Sequence, residues 1–304
     1  MFVVIGSVFV SYAVAKPVNS ESGSISVDAQ VRPRVEGTQV LGADEAANPA
    51  VSQRARLGAE LILLCRSEER GTALRDELVA AGTDAELALV DLLDGDAIDR
   101  FAAPWAGRCI DIVVHNAGAL FDGLEHTDAG IERTAALHLL APERLNRRLE
   151  TALQRSESPR IIYVASGGMY AVPLLPDEIQ HPATPFDGVR AYALCKRAQL
   201  ECAKRWSSNH GKIRAFAMHP GWVDTPGVEH SLPAFYRRTK RWLRTPAQGA
   251  DTVVWLASEA NLGLPPGAFV FDRALAKEHI LPGTRSAPDA SQALVAWMDD
   301  VIPS

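Results

Sequence analysis

From about residue 35 onward the chain alternates short apolar runs with longer amphipathic stretches. Runs rich in Val, Ile and Leu predict strands at 38–41, 60–65, 85–90, 110–115, 160–165, 213–219 and 268–271. A helical repeat of apolar positions predicts helices at 68–81, 93–105, 130–155, 189–208 and 247–258. Apolar runs bounded by polar turns suit strands covered on both faces. The β-α-β-α order then predicts a parallel sheet with helices on either side. Right-handed crossovers wind such a sheet into a three-layer, doubly wound Rossmann-type α/β fold. No repeat and no shift of composition divides residues 35–304, so a single domain is expected there.

Composition narrows the classes. Of 304 residues, 47% are hydrophobic and 22% charged, as in an ordinary soluble globular protein. A net charge of −6 gives no reason to expect nucleic acid as a partner. The cysteines at 65, 109, 195 and 202 have neither metal-ligand spacing nor the rhythm of a disulfide scaffold. No metal site and a reducing, cytoplasmic setting are therefore expected. Residues 1–34 stand apart as leader and linker. Residues 2–15 are apolar and end in Ala13-Val-Ala15, like a signal-peptidase site, but no Lys or Arg precedes them and they are too few to span a bilayer. A secretory signal, an anchor or organelle address, and an unstructured or misassigned leader all stay open. Residues 17–33 read as a flexible linker.

Ligands of an open parallel sheet sit beyond the carboxyl ends of its strands. Asp91, the Asn116-Ala117-Gly118 turn, Ser166 and the Pro220-Gly221 turn each follow a predicted strand, so all should rim one crevice. The helix at 189–208 adds Tyr192 and Lys196, four apart and on one face. Tyr12/Lys16 and Tyr236/Lys240 repeat that spacing, but only Tyr192 stands between a serine-ended strand and a Pro-Gly turn. A phenol beside a fixed cation suits proton transfer.

In this order the pieces resemble the short-chain dehydrogenase/reductases: Cys65-Arg66, Val90-Asp91-Leu92, His115-Asn116-Ala117-Gly118, Ser166, Tyr192-x-x-x-Lys196 and Pro220-Gly221-Trp-Val223-Asp-Thr225. The resemblance covers roughly residues 35–275. Ser166-Gly-Gly-Met169, Thr184-Pro-Phe-Asp-Gly188 and the stretches 219–228 and 247–252 look most like the group called dehydrogenase/reductase SDR family member 12. The resemblance implies an oxidoreductase that interconverts a carbonyl and an alcohol with a nicotinamide cofactor. Tyr192 is then the general acid or base, Lys196 the cation beside it and a ribose ligand, and Ser166 the donor to the carbonyl oxygen. Working near pH 7 asks roughly 3 pKa units, or about 4 kcal/mol, of the phenol. A lysine about 5 Å away supplies roughly 3 kcal/mol of that at an effective dielectric near 20. The cofactor contacts implied are Gly42, Asp91 at the adenine, Asn116, Ala117 and Gly118 near its ribose, and Pro220, Val223 and Thr225 at the nicotinamide, with Tyr192 and Lys196. Arg66, just past the second strand, suits a 2′-phosphate and favours NADP(H) over NAD(H).

Two departures from the family pattern stand out. Residues 41–48 read Leu41-Gly42-Ala43-Asp44-Glu45-Ala46-Ala47-Asn48, where the family carries a glycine-rich phosphate loop, and only Gly42 survives. A methyl at Ala46 crowds the pyrophosphate, and Asp44 and Glu45 oppose it. Decay of the loop and a gene-model error both account for this. His138 falls where the family places an asparagine that holds a relay water, and it suits either that relay or plain helix packing. Residues 222–245 would form the substrate lid, with Trp222, Leu232, Phe235, Tyr236 and Trp242 interleaved with Arg237, Arg238, Lys240, Arg241 and Arg244. The aromatics suit a small lipophilic carbonyl or alcohol, and the basic run suits an anionic head group, a membrane surface or a solvated helix face. A homo-oligomer is open. The competing reading is an idle scaffold of the same fold that acts by protein association.

Overall fold

The computed structural model describes residues 12–13, 38–40, 60–224 and 233–302. Five parallel strands carry the expected pattern: β3 (Leu61–Cys65) beside β4 (Ala85–Leu89), and β5 (Ile110–His115), β6 (Arg160–Val164) and β7 (Arg214–Met218) side by side. β8 (Phe269–Phe271) extends the second group in parallel. On the other edge of β5 lie β2 (Thr38–Val40), parallel, and β1 (Tyr12–Ala13), antiparallel. β9 (Ala274–Leu275) closes the far edge antiparallel to β8.

Helices cover both faces. They are α1 (Glu68–Ala80), α2 (Gly95–Ala102), α3 (Ala141–Gln154), α4 (Pro176–Gln180), α5 (Gly188–Asn209), α6 (Pro233–Thr239), α7 (Pro246–Ser258) and α8 (Ala290–Val301). Alternate strand residues point to opposite sides. Val113, Ile161 and Tyr163 join one core with residues of α3, α5 and α8. Ile112, Val114, Ile162, Val164, Phe216 and Met218 join another with residues of α1 and α7. Both sheet faces are therefore buried, as the largely apolar runs predicted. The three-layer expectation holds.

Helix ends follow local chemistry. The helix expected from 93 begins at Gly95 because Asp94 caps it, its Oδ1 accepting from Asp96 N at 2.9 Å and Ala97 N at 3.0 Å. Its last turn tightens to a 3-10 helix at Ala103–Trp105, which contains Pro104. The stretch expected as one helix at 130–155 is broken in character. A turn at Arg133–Ala135 passes through a π-helical stretch, Ala136–Leu140, into α3. Pro142 explains the break: it lacks the N–H that would bond His138 O one turn back. Gln199 of α5 supplies the missing donor, Nε2 to His138 O, at 2.9 Å. The β8–β9 hairpin was not expected. Its two turn residues, Asp272 and Arg273, have φ of 49° and 58°, a backbone usually given to Asn-Gly.

Candidate active site

The ends of β5 and β6 and the first turns of α5 meet at one place. Asp187 caps α5 by accepting from Arg190 N at 3.0 Å. Gly188 lets the helix start against Phe121, whose carbonyl oxygen would lie 1.8 Å from a Cβ. The helix then carries Tyr192 and Lys196 under the end of β6. Lys196 is 1% exposed and donates from Nζ to Val164 O at 2.7 Å, while the same Nζ lies 5.5 Å from the centre of the Tyr192 ring. Ser166, two residues past β6, accepts from Gly168 N through Oγ at 3.2 Å and hydrogen-bonds the Tyr192 hydroxyl. Three of the expected catalytic residues are thus assembled.

The electrostatics differ from the expectation in one respect. Desolvation pushes the Tyr192 phenol up to about 12, against the opposing hydrogen bond from Ser166. Desolvation also lowers Lys196 to about 7. The lysine has therefore lost its proton well before the phenol ionises, and a neutral amine cannot hold a phenolate. Burial thus favours a protonated phenol beside an amine that readily gives up its charge.

His138 is fully buried, and its ring meets Tyr192 edge-on with centroids 5.1 Å apart. Its Nε2 lies 2.9 Å from Ala119 O and 3.3 Å from Ala119 N. The shorter contact requires Nε2 to carry the hydrogen, which leaves Nδ1 an acceptor, buried and without a partner among the described residues. Desolvation, then the nearby Lys196, holds this imidazole well below its ordinary pKa, so it stays neutral. Gly118 sits against it: a Cβ there would be 2.9 Å from His138 Cε1.

The remaining expected residues divide. Asn116 and Ala117 are buried directly after β5. Asn116 Oδ1 has no partner among the described residues, and Lys196 Nζ uses one of its three N–H groups on Val164. An acceptor and spare donors at neighbouring strand ends fit a hydroxyl-rich ribose. Val223 is 2% exposed and bridges to Arg244 just past the Pro220–Gly221 turn. Asp91 Oδ1 accepts from Leu93 N at 2.9 Å, which commits part of its carboxylate to its own turn. Arg66 is exposed at the end of β3. Gly42 and Thr225 lie outside the described residues.

Sequence reasoning passed over a second layer around the Pro-Gly turn. His219 stacks on Phe271 with ring centroids 4.1 Å apart and 2° between planes, and its Nδ1 accepts from Gly221 N at 3.2 Å. Burial lowers this imidazole to about 4. Arg244 covers the Phe271 ring at 4.7 Å and pairs with Asp272, while its Nε would lie 2.7 Å from any Cβ on Gly221. Arg244 was visible only as one more cation of the basic run. Beneath β5 and β6, His115 donates through Nε2 to Asn146 Oδ1 at 2.7 Å, and Asn146 Nδ2 donates to Tyr163 OH at 2.9 Å. That chain had no sequence signal.

The model of the family described as Enoyl-(Acyl carrier protein) reductase matches residues 47–265. Dehydrogenase/reductase SDR family member 12 of Bos taurus is 35% identical over 252 residues, covering 81% of this chain and 80% of the relative. Its Homo sapiens counterpart is 35% identical over 242 residues, covering 78% and 76%. Among solved structures, a short-chain dehydrogenase from Escherichia coli CFT073 complexed with NADPH superposes with a TM-score of 0.59 at 21% identity, covering 74% of this chain and 90% of that one. The group resemblance seen at Ser166, Thr184–Gly188 and His219 is thus matched by whole-chain similarity. The chain belongs to the short-chain dehydrogenase/reductase family of oxidoreductases.

Proposed function

We propose that the chain is an NADP(H)-dependent oxidoreductase that interconverts a carbonyl and an alcohol on a small lipophilic substrate. The observation that carries this reading is the meeting of Ser166, Tyr192 and Lys196 beneath the end of β6. When bound, the nicotinamide supplies or accepts the hydride. Tyr192, a protonated phenol at neutral pH, donates its proton to the substrate oxygen during reduction. Ser166 donates to the same oxygen as negative charge develops on it. Lys196, poised near pH 7, takes up and returns a proton beside the phenol. His138 stays neutral, and its Nδ1 accepts from a relay water. Asn116, Ala117, Gly118, Pro220, Val223 and Thr225 line the cofactor, with Gly42 and Asp91 toward the adenine end. The exposed Arg66, first residue past β3, supports NADP(H), since a guanidinium there suits a 2′-phosphate. Leu232 and Phe235, in the stretch that follows the Pro-Gly turn, support a lipophilic substrate.

Fluorescence titration with NADPH and NADH tests the reading. Saturable quenching is expected with NADPH at lower concentration than with NADH, and Arg66→Asp should narrow or invert that order. No quenching at about millimolar cofactor would remove the oxidoreductase reading and leave the idle scaffold, which residues 41–48 favour.

A further inference from the structure

Trp222 and Asp224 pair with Arg244 through the backbone at a short neck. Arg244 N donates to Trp222 O and Asp224 N to Arg244 O, both at 2.8 Å, beside the carboxyl end of β7. Tyr236 of α6 is tied to this neck: it is 6% exposed, and its hydroxyl donates to Asp224 Oδ1 at 2.8 Å. The outer side has a character of its own. Residues 233–246 hold five cations and no carboxylate, in a chain of net charge −6. Asp272 pairs with Arg244, and Lys240 Nζ lies 4.9 Å from the centre of the Tyr236 ring. Arg237, Arg238, Lys240 and Arg241 are all exposed. Two tryptophans accompany them. Trp222 is 46% exposed and Trp242 67%, with the Arg241 guanidinium 4.3 Å above the Trp242 ring.

Cations alone would suit any polyanion. Large indoles held in water beside them narrow the choice, because tryptophan gains most at a boundary with one apolar and one wet side. Basic side chains are drawn to the same boundary when its headgroups are anionic. We propose that this face docks the chain onto an anionic lipid bilayer, with Trp242 and Trp222 at headgroup depth and the four cations against headgroup phosphates. The contact is peripheral, since no helix among the described residues is long and apolar enough to cross a membrane. The neck adjoins Pro220 and Gly221, so a lipophilic compound dissolved in the bilayer would reach the site without crossing bulk water. That consequence, unlike the docking itself, rests on the proposed substrate class.

Flotation of the full chain with vesicles tests the docking. Binding is expected to vesicles of phosphatidylcholine mixed with phosphatidylserine, not to phosphatidylcholine alone, and should fall as salt is raised. Arg237→Glu with Arg241→Glu should lower vesicle affinity at least about tenfold. Trp242→Ser should lower it several-fold and reduce quenching by brominated lipid. Thermal unfolding and NADPH titration of each variant check folding and keep this test separate from the catalytic reading. Failure to float with the mixed vesicles, or equal flotation with phosphatidylcholine alone, overturns the proposal. Retention of binding by the charge-reversed variant overturns it too, and assigns the membrane contact to residues common to both proteins. Binding that is indifferent to Trp242→Ser and is competed away by a DNA duplex overturns the bilayer in favour of a polyanion.

Discussion

Burying a lysine ammonium beneath the end of β6 is costly unless the amine gives up its proton, and Lys196 does so near pH 7 instead of its ordinary 10.5. Between those values the unfolded chain binds a proton that the folded chain lacks, so this residue makes stability rise with pH across the window. The penalty is complete below about pH 7. Chemical denaturation at pH 6.5 and pH 9.5 should therefore show the native chain gaining about 3 kcal/mol relative to Lys196→Met. An equal pH response in both proteins would mean that the amine keeps its charge when buried. Tyr192 has the opposite task, holding its proton until the substrate oxygen needs it. Tyr192→Phe should lower turnover by about 10²–10⁴-fold while leaving NADPH affinity within about twofold. Turnover that survives the substitution would remove Tyr192 as the proton donor.

At the scale of elements, the join between the Ala136–Leu140 π stretch and α3 shows how one imino acid shapes the site. Pro142 withholds an N–H and His138 O accepts from Gln199, while the His138 ring packs edge-on against Tyr192. Gln199→Leu leaves a buried carbonyl unpaired and should cost about 1–3 kcal/mol. Pro142→Ala restores a donor one turn along, so the double variant should lose less than the sum of the two, read by a denaturant cycle. The strands at 110–115 and 160–165 were legible because burial on both faces leaves most positions apolar, with Asp111, His115 and Arg160 the buried exceptions. The π stretch was not, because its cause is a missing hydrogen bond and not a change in hydrophobic period. The β8–β9 hairpin was hidden for another reason. Asp272 and Arg273 hold a left-handed backbone that neither residue signals, helped by ion pairs to Arg244 and Asp251 from distant parts of the chain.

Across the whole molecule, Arg66, Asp91, Asn116, Ser166 and Pro220 each follow the carboxyl end of a parallel strand, which is why their order in sequence was informative. What order did not carry was distance and charge: the desolvation that reverses the expected Tyr192–Lys196 electrostatics depends on packing around both. The C-terminal helix α8 was likewise absent from the sequence reading. It is tied to the site's scaffold through Arg205, which bonds both Asp299 and the buried Glu143, while Glu143 also accepts from Trp206 Nε1 at 2.8 Å. A cofactor reaching from the β3–β4 pair to the end of β6 would join the two strand groups. NADPH at about 100 times its Kd should add about 3 kcal/mol to unfolding, seen as a higher Tm. A Tm unmoved at saturating NADPH would argue against binding across both groups.

The close approach of Gly118 to His138 constrains how this site can diverge among descendants. A methyl at 118 would meet the imidazole at 2.9 Å, so the two positions are not free to change independently. Gly118→Ala alone should be tolerated poorly, and His138→Asn should relieve it. Related chains that keep histidine at 138 are accordingly expected to keep glycine at 118.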